Sequence, residues 1–197
     1  MSETGNNRAR RRAEEHNATR ASILNAARRV GVRDGARALS LRGVAAEAGY
    51  APAALYGYFR NKDELLLALA AEDLAAVSRA MRDAAGNAGS KGRLGAAVAA
   101  ALALLDRTET IAAAPSALSS GDAPDAARLF NGRLIVALKT LSDATGNPAD
   151  SREAQGDVVL IASALIGLAV LSRTGRLSAL GFAQDEILAR LDARFSR

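Results

Sequence analysis

Apolar residues recur at helical rather than alternating spacing along almost the whole chain, and that period constrains the fold more than any other feature. Ile23, Ala26, Ala27 and Val30 mark one helix face, while Leu41, Val44, Ala45 and Ala48 fall at i, i+3, i+4 and i+7. Leu65, Leu66, Leu69, Leu74, Val77 and Met81 continue the pattern over a long segment. Leu94, Val98, Leu102 and Leu105 resume it after a loop over Gly86 to Gly92. No Val/Ile/Thr-rich run alternates, so the chain is expected to be all-α, and its 197 residues can bury a sizeable core.

Breakers divide this pattern into helices. Gly31 and Gly35 break the first helix. Ser40 suits the N-cap of a short second one that Gly49 stops, and Pro52 suits the first turn of a third that ends by about Arg60. Asn61 with Glu64 reads as a variant capping box opening a fourth helix, which links two domains over about residues 62–85. A shorter helical piece is expected between Thr108 and Leu118. Asp122 and Pro124 open a further helix that Gly146 and Pro148 end. Asp150 and Glu153 form a possible cap pair before an apolar helix ending near Gly175, and a last helix is expected from Phe182 to Phe195. Residues 1–16 are polar and aperiodic, and read as a flexible basic arm.

Charge is unevenly shared. Residues 1–62 carry 12 Lys and Arg against 5 Asp and Glu, whereas residues 63–197 carry 14 against 16. A basic head on a nearly neutral body points to a polyanion-binding module joined to a part that does not touch the polyanion. The chain has no Cys and one His, His16, which reads as an exposed tail residue; thiolate, metal and Ser/His/Asp chemistry lack their residues. Asp106 and Glu109 read as a solvated helix face. No catalytic residue, metal site or cofactor is therefore expected, and the chain does not read as an enzyme. Arg8, Arg10, Arg11 and Arg12 are followed by polar residues rather than a signal core, and the apolar stretch Val158–Leu171 is shorter than a span. A cytoplasmic protein with no membrane partner is expected.

Residues 40–59 combine a short helix, a tight turn at Gly49–Ala51 and a second short helix, the spacing of a helix-turn-helix inside the basic segment. A helix entering a major groove must be pinned from behind, and Leu55 and Phe59, four apart, supply that inner face. Pro52, Ala53, Ala54, Tyr56 and Tyr58 fall on the other side or at the ends. Small residues there allow close approach and methyl contact with thymine, tyrosine hydroxyls reach phosphates, and Lys62 beside helix-terminus amides makes a phosphate anchor.

Ile23-Leu24-Asn25-Ala26-Ala27, Leu39 to Ala45, and the run from Ala48 through Leu55-Tyr56-Gly57-Tyr58-Phe59 to Asn61-Lys62-Asp63-Glu64-Leu65-Leu66 resemble the DNA-binding domain of TetR-type repressors, over about residues 17–77. The resemblance implies a three-helix reading head, with Arg42 on a base, guanine through O6 and N7, and Pro52, Ala53 and Ala54 at base edges. It assigns Tyr56, Tyr58 and Lys62 to the backbone; Ser40 completes the expected DNA-contacting set. Three positions depart from the family: Ala51 lacks a capping hydroxyl, Gly57 replaces a larger residue, and Gly31 stands where a phenylalanine is usual. Arg42 could also be a solvated arginine, Tyr56 and Tyr58 half-buried helix residues, and the arginines at 8–12 either phosphate contacts or a solubilising arm.

By the same resemblance, residues 86–197 form a helical effector-binding and dimerisation domain. Their lining residues are Ala, Leu, Val and Ile with few aromatics, which suits a small apolar effector. The helices at about 151–174 and 182–196 are candidates for a homodimer face, with the alternative that 158–171 is each monomer's central helix. The function implied is a sequence-specific repressor released from a palindromic double-stranded DNA operator by that effector; the alternative is a constitutive DNA-binding regulator without a ligand.

Overall fold

The computed structural model describes residues 3–89, 92–107, 109–146 and 150–196, and every described regular element is helical. Helix α1 (Glu3–Asp34) is followed by a 3-10 turn at Ala36–Ala38, α2 (Leu41–Ala48) and α3 (Pro52–Leu55). Then come α4 (Lys62–Asn87), α5 (Arg93–Leu105), α6 (Thr110–Ser120), α7 (Pro124–Thr145), α8 (Arg152–Arg173), α9 (Arg176–Ala179) and α10 (Gln184–Phe195).

The helix ends follow their local chemistry. Ser40 Oγ accepts from Gly43 N at 3.1 Å, and Gly49 closes α2 in the left-handed conformation at φ 74°. Asn61 Oδ1 accepts from Glu64 N at 2.8 Å, and Glu64 reaches back to accept from Arg60 N at 2.8 Å, completing the box one residue further out. Pro124 occupies the first turn of α7, and Gly146 ends it. At α8 the cap is Ser151, whose Oγ accepts from Ala154 N at 3.1 Å, rather than Asp150. Thr108 and Pro148 lie outside the described residues.

Three boundaries differ from expectation. Helix α1 passes through Gly31, where a Cβ would lie 4.0 Å from Leu39 Cδ1, and stops only before Gly35 at φ 86°. It also begins at Glu3, so residues 3–16, read as a flexible arm, are helical, with Arg10–Glu14 and Arg11–Glu15 pairs one turn apart. Regular α3 ends at Leu55; Gly57 and Tyr58 continue it as a tight turn. A short extra helix, α9, fills the stretch between Gly175 and Phe182, while α10 falls within the last helix expected from Phe182 to Phe195.

The core has two parts sharing α4. Ile23, Leu24, Leu39, Val44, Leu55 and Phe59 close the N-terminal part, all at 0–2% exposure. The first half of α4, Leu65 to Ala71, is buried throughout, and α1, α5, α6 and α7 all pack against this helix. Helix α4 is thus the central helix of the body as well as the link to the N-terminal part, and α8 lies at the surface.

Candidate nucleic-acid interface

Helices α1, α2 and α3 hold a projecting surface in place from behind. Leu55 and Phe59 are fully buried, so the far side of α3 faces outward: Pro52, Ala53, Ala54 and Tyr56 are all exposed. Ser40 and Arg42 are exposed at the start of α2, and no carboxylate pairs with Arg42 among the described residues. Lys62 is exposed at the first position of α4, where its Nζ donates to Arg37 O at 2.6 Å. That bond offsets a cation placed at the positive end of a helix and pins the 3-10 turn beside it. Tyr58 is half-buried, set between the exposed edge and the core. Of the predicted residues, all are exposed except Tyr58, which is half-buried.

Sequence reasoning missed two features of this surface. His16, read as a free tail residue, stacks on Tyr58 with ring centroids 4.6 Å apart and planes 20° from parallel. Glu47 accepts from Arg29 Nε at 2.7 Å and from Arg33 Nη1 at 2.9 Å, bolting α2 to α1. Those bonds, Arg29's first, hold the Glu47 carboxyl below the usual carboxylate range. Its partners lie 14 and 18 residues away, and no local pattern in the sequence marks the pairing.

A second cluster joins this head to the body. Arg28 of α1 donates from Nε and Nη2 to Asp73 Oδ1 of α4 at 3.2 and 3.0 Å, and from Nη2 to Glu72 Oε2 at 3.3 Å. Thr110 of α6 donates to the other oxygen of Asp73 at 2.5 Å. Beside it a cleft of about 1220 Å³ opens between α1, α4, α7 and the ends of α5 and α8. Its floor is apolar (Ala68, Ala71, Ala75, Ala76, Val77, Leu104), but its rim carries Arg20, Arg79, Arg107, Arg133 and Arg173. Asp106 and Glu109 belong to this rim, Glu109 paired with Arg173 at 3.6 Å. Among the described residues no group of three or more His, Asp and Glu side chains is arranged to hold a metal ion.

The body leaves an apolar face uncovered. On α8, Val159, Leu160, Ile166 and Val170 are 43–59% exposed while Val158, Ile161, Leu165 and Leu168 are buried, a helix half in and half out. Leu134, Ile135 and Val136 of α7 are exposed too. The expected partner of α8, α10, instead turns Ile187, Leu188 and Leu191 toward the core. By length and composition α8 could cross a membrane.

Residues 23–69 match the model of bacterial regulatory proteins of the tetR family. Among solved structures, a protein with unknown function from Rhodococcus sp. RHA1 is 25% identical, with TM-score 0.71 over 90% of this chain and 93% of that one. A bacterial regulatory protein in the tetR family from Rhodococcus RHA1 is 18% identical (TM-score 0.65; 90% and 97% covered). A transcriptional regulator FadR from Bacillus subtilis, solved in complex with stearoyl-CoA, is 17% identical (TM-score 0.62; 88% and 95% covered). No curated protein matches the chain.

Proposed function

The chain belongs to the tetR family of bacterial regulatory proteins, transcriptional regulators that bind DNA, and from that premise we propose a dimeric repressor released from a palindromic operator by a small effector. The observation that carries this reading is the exposed rim Arg42, Pro52, Ala53, Ala54 and Tyr56 backed by fully buried Leu55 and Phe59. A rod fixed from behind and bare in front is what a major groove admits. Arg42 is the base reader, bidentate to a guanine, and the small face of α3 lies against base edges. Tyr56, Tyr58, Lys62 and Ser40 hold the phosphate backbone.

The bare face of α8 and α7 supports pairing with a second copy. A helix with Gly156, Ser163 and Gly167 beside Val159, Leu160 and Val170 lets another helix approach closely, and a four-helix interface covers what one chain leaves in water. In this reading α7, not α10, partners α8, and the protein works in the cytoplasm, where its DNA is. Two heads then meet half-sites about 34–36 Å apart, or a multiple of that.

An effector seated against the body acts through the Arg28–Asp73–Thr110 cluster, because it ties α1 of the head to α4 and α6. Any ligand that favours a different setting of α4 moves the heads off that spacing, by as much as its affinity differs between the two settings. The apolar floor of the cleft suits an aliphatic effector. Selection of duplexes from a random pool by the full chain tests the reading: a palindromic repeat is expected, and equal affinity for every sequence overturns it. Binding that is specific but insensitive to every effector supports a constitutive regulator instead.

A further inference from the structure

Helix α1 starts well before the stretch that the family model matches, which begins at residue 23. Ile23 and Leu24 are fully buried, Thr19 and Arg20 half-buried, and residues 6–18 exposed. The helix thus leaves the body near Thr19, and the part from Glu3 onward extends about 24 Å at ~1.5 Å per residue. It leaves at a defined place. His16 stacks on Tyr58, and the Arg20 guanidinium lies 4.9 Å over the Phe59 ring. Tyr58 and Phe59 close the turn after α3, so the extension departs from the rim that carries Tyr56 and Lys62.

The extension also carries a stripe of cations. Arg8, Arg12, His16 and Arg20 succeed one another at i, i+4, a stripe spanning about 120° around the axis. Arg10 and Arg11 are paired with Glu14 and Glu15; Glu14 lies on the far side from His16, while Glu15 lies about 20° from Arg8 and about 60° from Arg12 around the axis but is engaged by Arg11. Among the described residues Arg8 and Arg12 have no carboxylate partner. Two guanidiniums along that stripe therefore keep no carboxylate partner. The extension gains little from its own chemistry: residues 6–18 are all exposed, its cations oppose the helix dipole, and its ion pairs run in the weaker Arg-before-Glu order. A polyanion along the stripe reverses the dipole penalty.

Resting on the regulator reading, we propose that residues 3–18 are a second DNA-binding element. Arg8 and Arg12 contact backbone phosphates of the duplex flanking each half-site, and His16 on Tyr58 is the positioning residue that sets the helix at the angle to reach them. These contacts carry no base preference; they lengthen the footprint and raise the affinity for any duplex long enough to receive them.

The test uses the full chain and a duplex selected from a random pool, prepared as the bare core and with about ten base pairs added on each side, roughly one turn of B-DNA. Two arginines in each of two protomers make four phosphate contacts, each adding ~0.9 to the salt slope. Between 50 and 200 mM salt the wild type should lose about 100-fold more affinity for the flanked duplex than Arg8→Ala/Arg12→Ala. On the bare core the two should bind alike. Arg8→Lys/Arg12→Lys should restore the slope, and His16→Ala should weaken only the flanked duplex. Equal salt slopes on the flanked duplex overturn the proposal, as does a double alanine variant that changes sequence preference. If selection returns no preferred duplex the regulator reading fails, yet the same slope comparison on the random pool still decides the extension.

Discussion

Removing the Asp73 carboxylate should loosen the head from the body by an amount the structure lets one bound. Asp73 has a side chain 10% exposed and accepts twice from Arg28, whose side chain is 37% exposed, and once from Thr110, which is 3% exposed. Breaking a fully buried ion pair costs ~3–5 kcal/mol. Arg28 is more than a third open to water and keeps Glu72 at 3.3 Å and Asn25 at 3.0 Å, so its share is screened toward the surface value. The loss of an acceptor for the buried Thr110 hydroxyl adds about 1 kcal/mol. Asp73→Ala should therefore cost ~2–3 kcal/mol in total, which for a chain of this size lowers Tm by roughly 5–10 °C. Thermal unfolding by circular dichroism, at one fixed protein concentration, reads it. A double-mutant cycle with Arg28→Ala should return a coupling of ~1–2 kcal/mol. The variant should also lose affinity for the selected operator more than for random duplex, because two heads on loosened joints no longer keep one spacing. A Tm within 2 °C of wild type together with a coupling below about 0.5 kcal/mol, the limit of additivity between independent sites, would refute the argument.

Arg42→Ala should cost ~1–3 kcal/mol at one operator position and relax the base preference there, whereas Lys62→Ala should weaken all duplexes evenly and flatten the salt slope; fluorescence anisotropy at several salt concentrations separates them. Leu160→Glu places a charge in the middle of the uncovered α8 face, and light scattering at micromolar concentration should then find monomer where the wild type is dimeric; a dimer in both moves the interface elsewhere. Glu47 has a folded pKa below its unfolded value, so its bonds to Arg29 and Arg33 stabilise the head above about pH 4.3 and are lost as pH falls through the lower folded value. The stability of the wild type should fall faster than that of Glu47→Gln across that window, and parallel pH–Tm curves would remove Glu47 from the account.

The reading head was legible in the sequence because its determinants are local. Ser40 and Asn61 cap the helices that follow within three residues, Gly49 is needed for its left-handed turn, and Leu55 and Phe59 fix the face of a helix by their spacing alone. The apolar half-turns of α4 and α5 were legible for the same reason. What escaped was set by partners distant in sequence. Arg28 finds Asp73 across 45 residues and Asp73 finds Thr110 across 37, and no periodicity marks any of the three. The arginine rim of the cleft is likewise assembled from α1, α4, α7, α8 and the turn after α5, each contributing what reads locally as a solvated charge.

The N-terminal extension shows how the two kinds of information meet. Its composition, cationic and without an apolar stripe, reads as a flexible arm, whereas the structure makes it a helix whose residues 6–18 are exposed and whose cations sit at the unfavourable helix end. Its direction could not be read, because it is set by a contact between His16 and Tyr58, 42 positions apart. A weakly self-stabilised helix aimed by one ring stack is well suited to a ligand of opposite charge, since the free energy gained on binding need only overcome a small ordering cost. In the proposed reading the head would supply base recognition and the extension charge, so substitutions in the first should alter which sequence is bound and substitutions in the second only how tightly and at what salt.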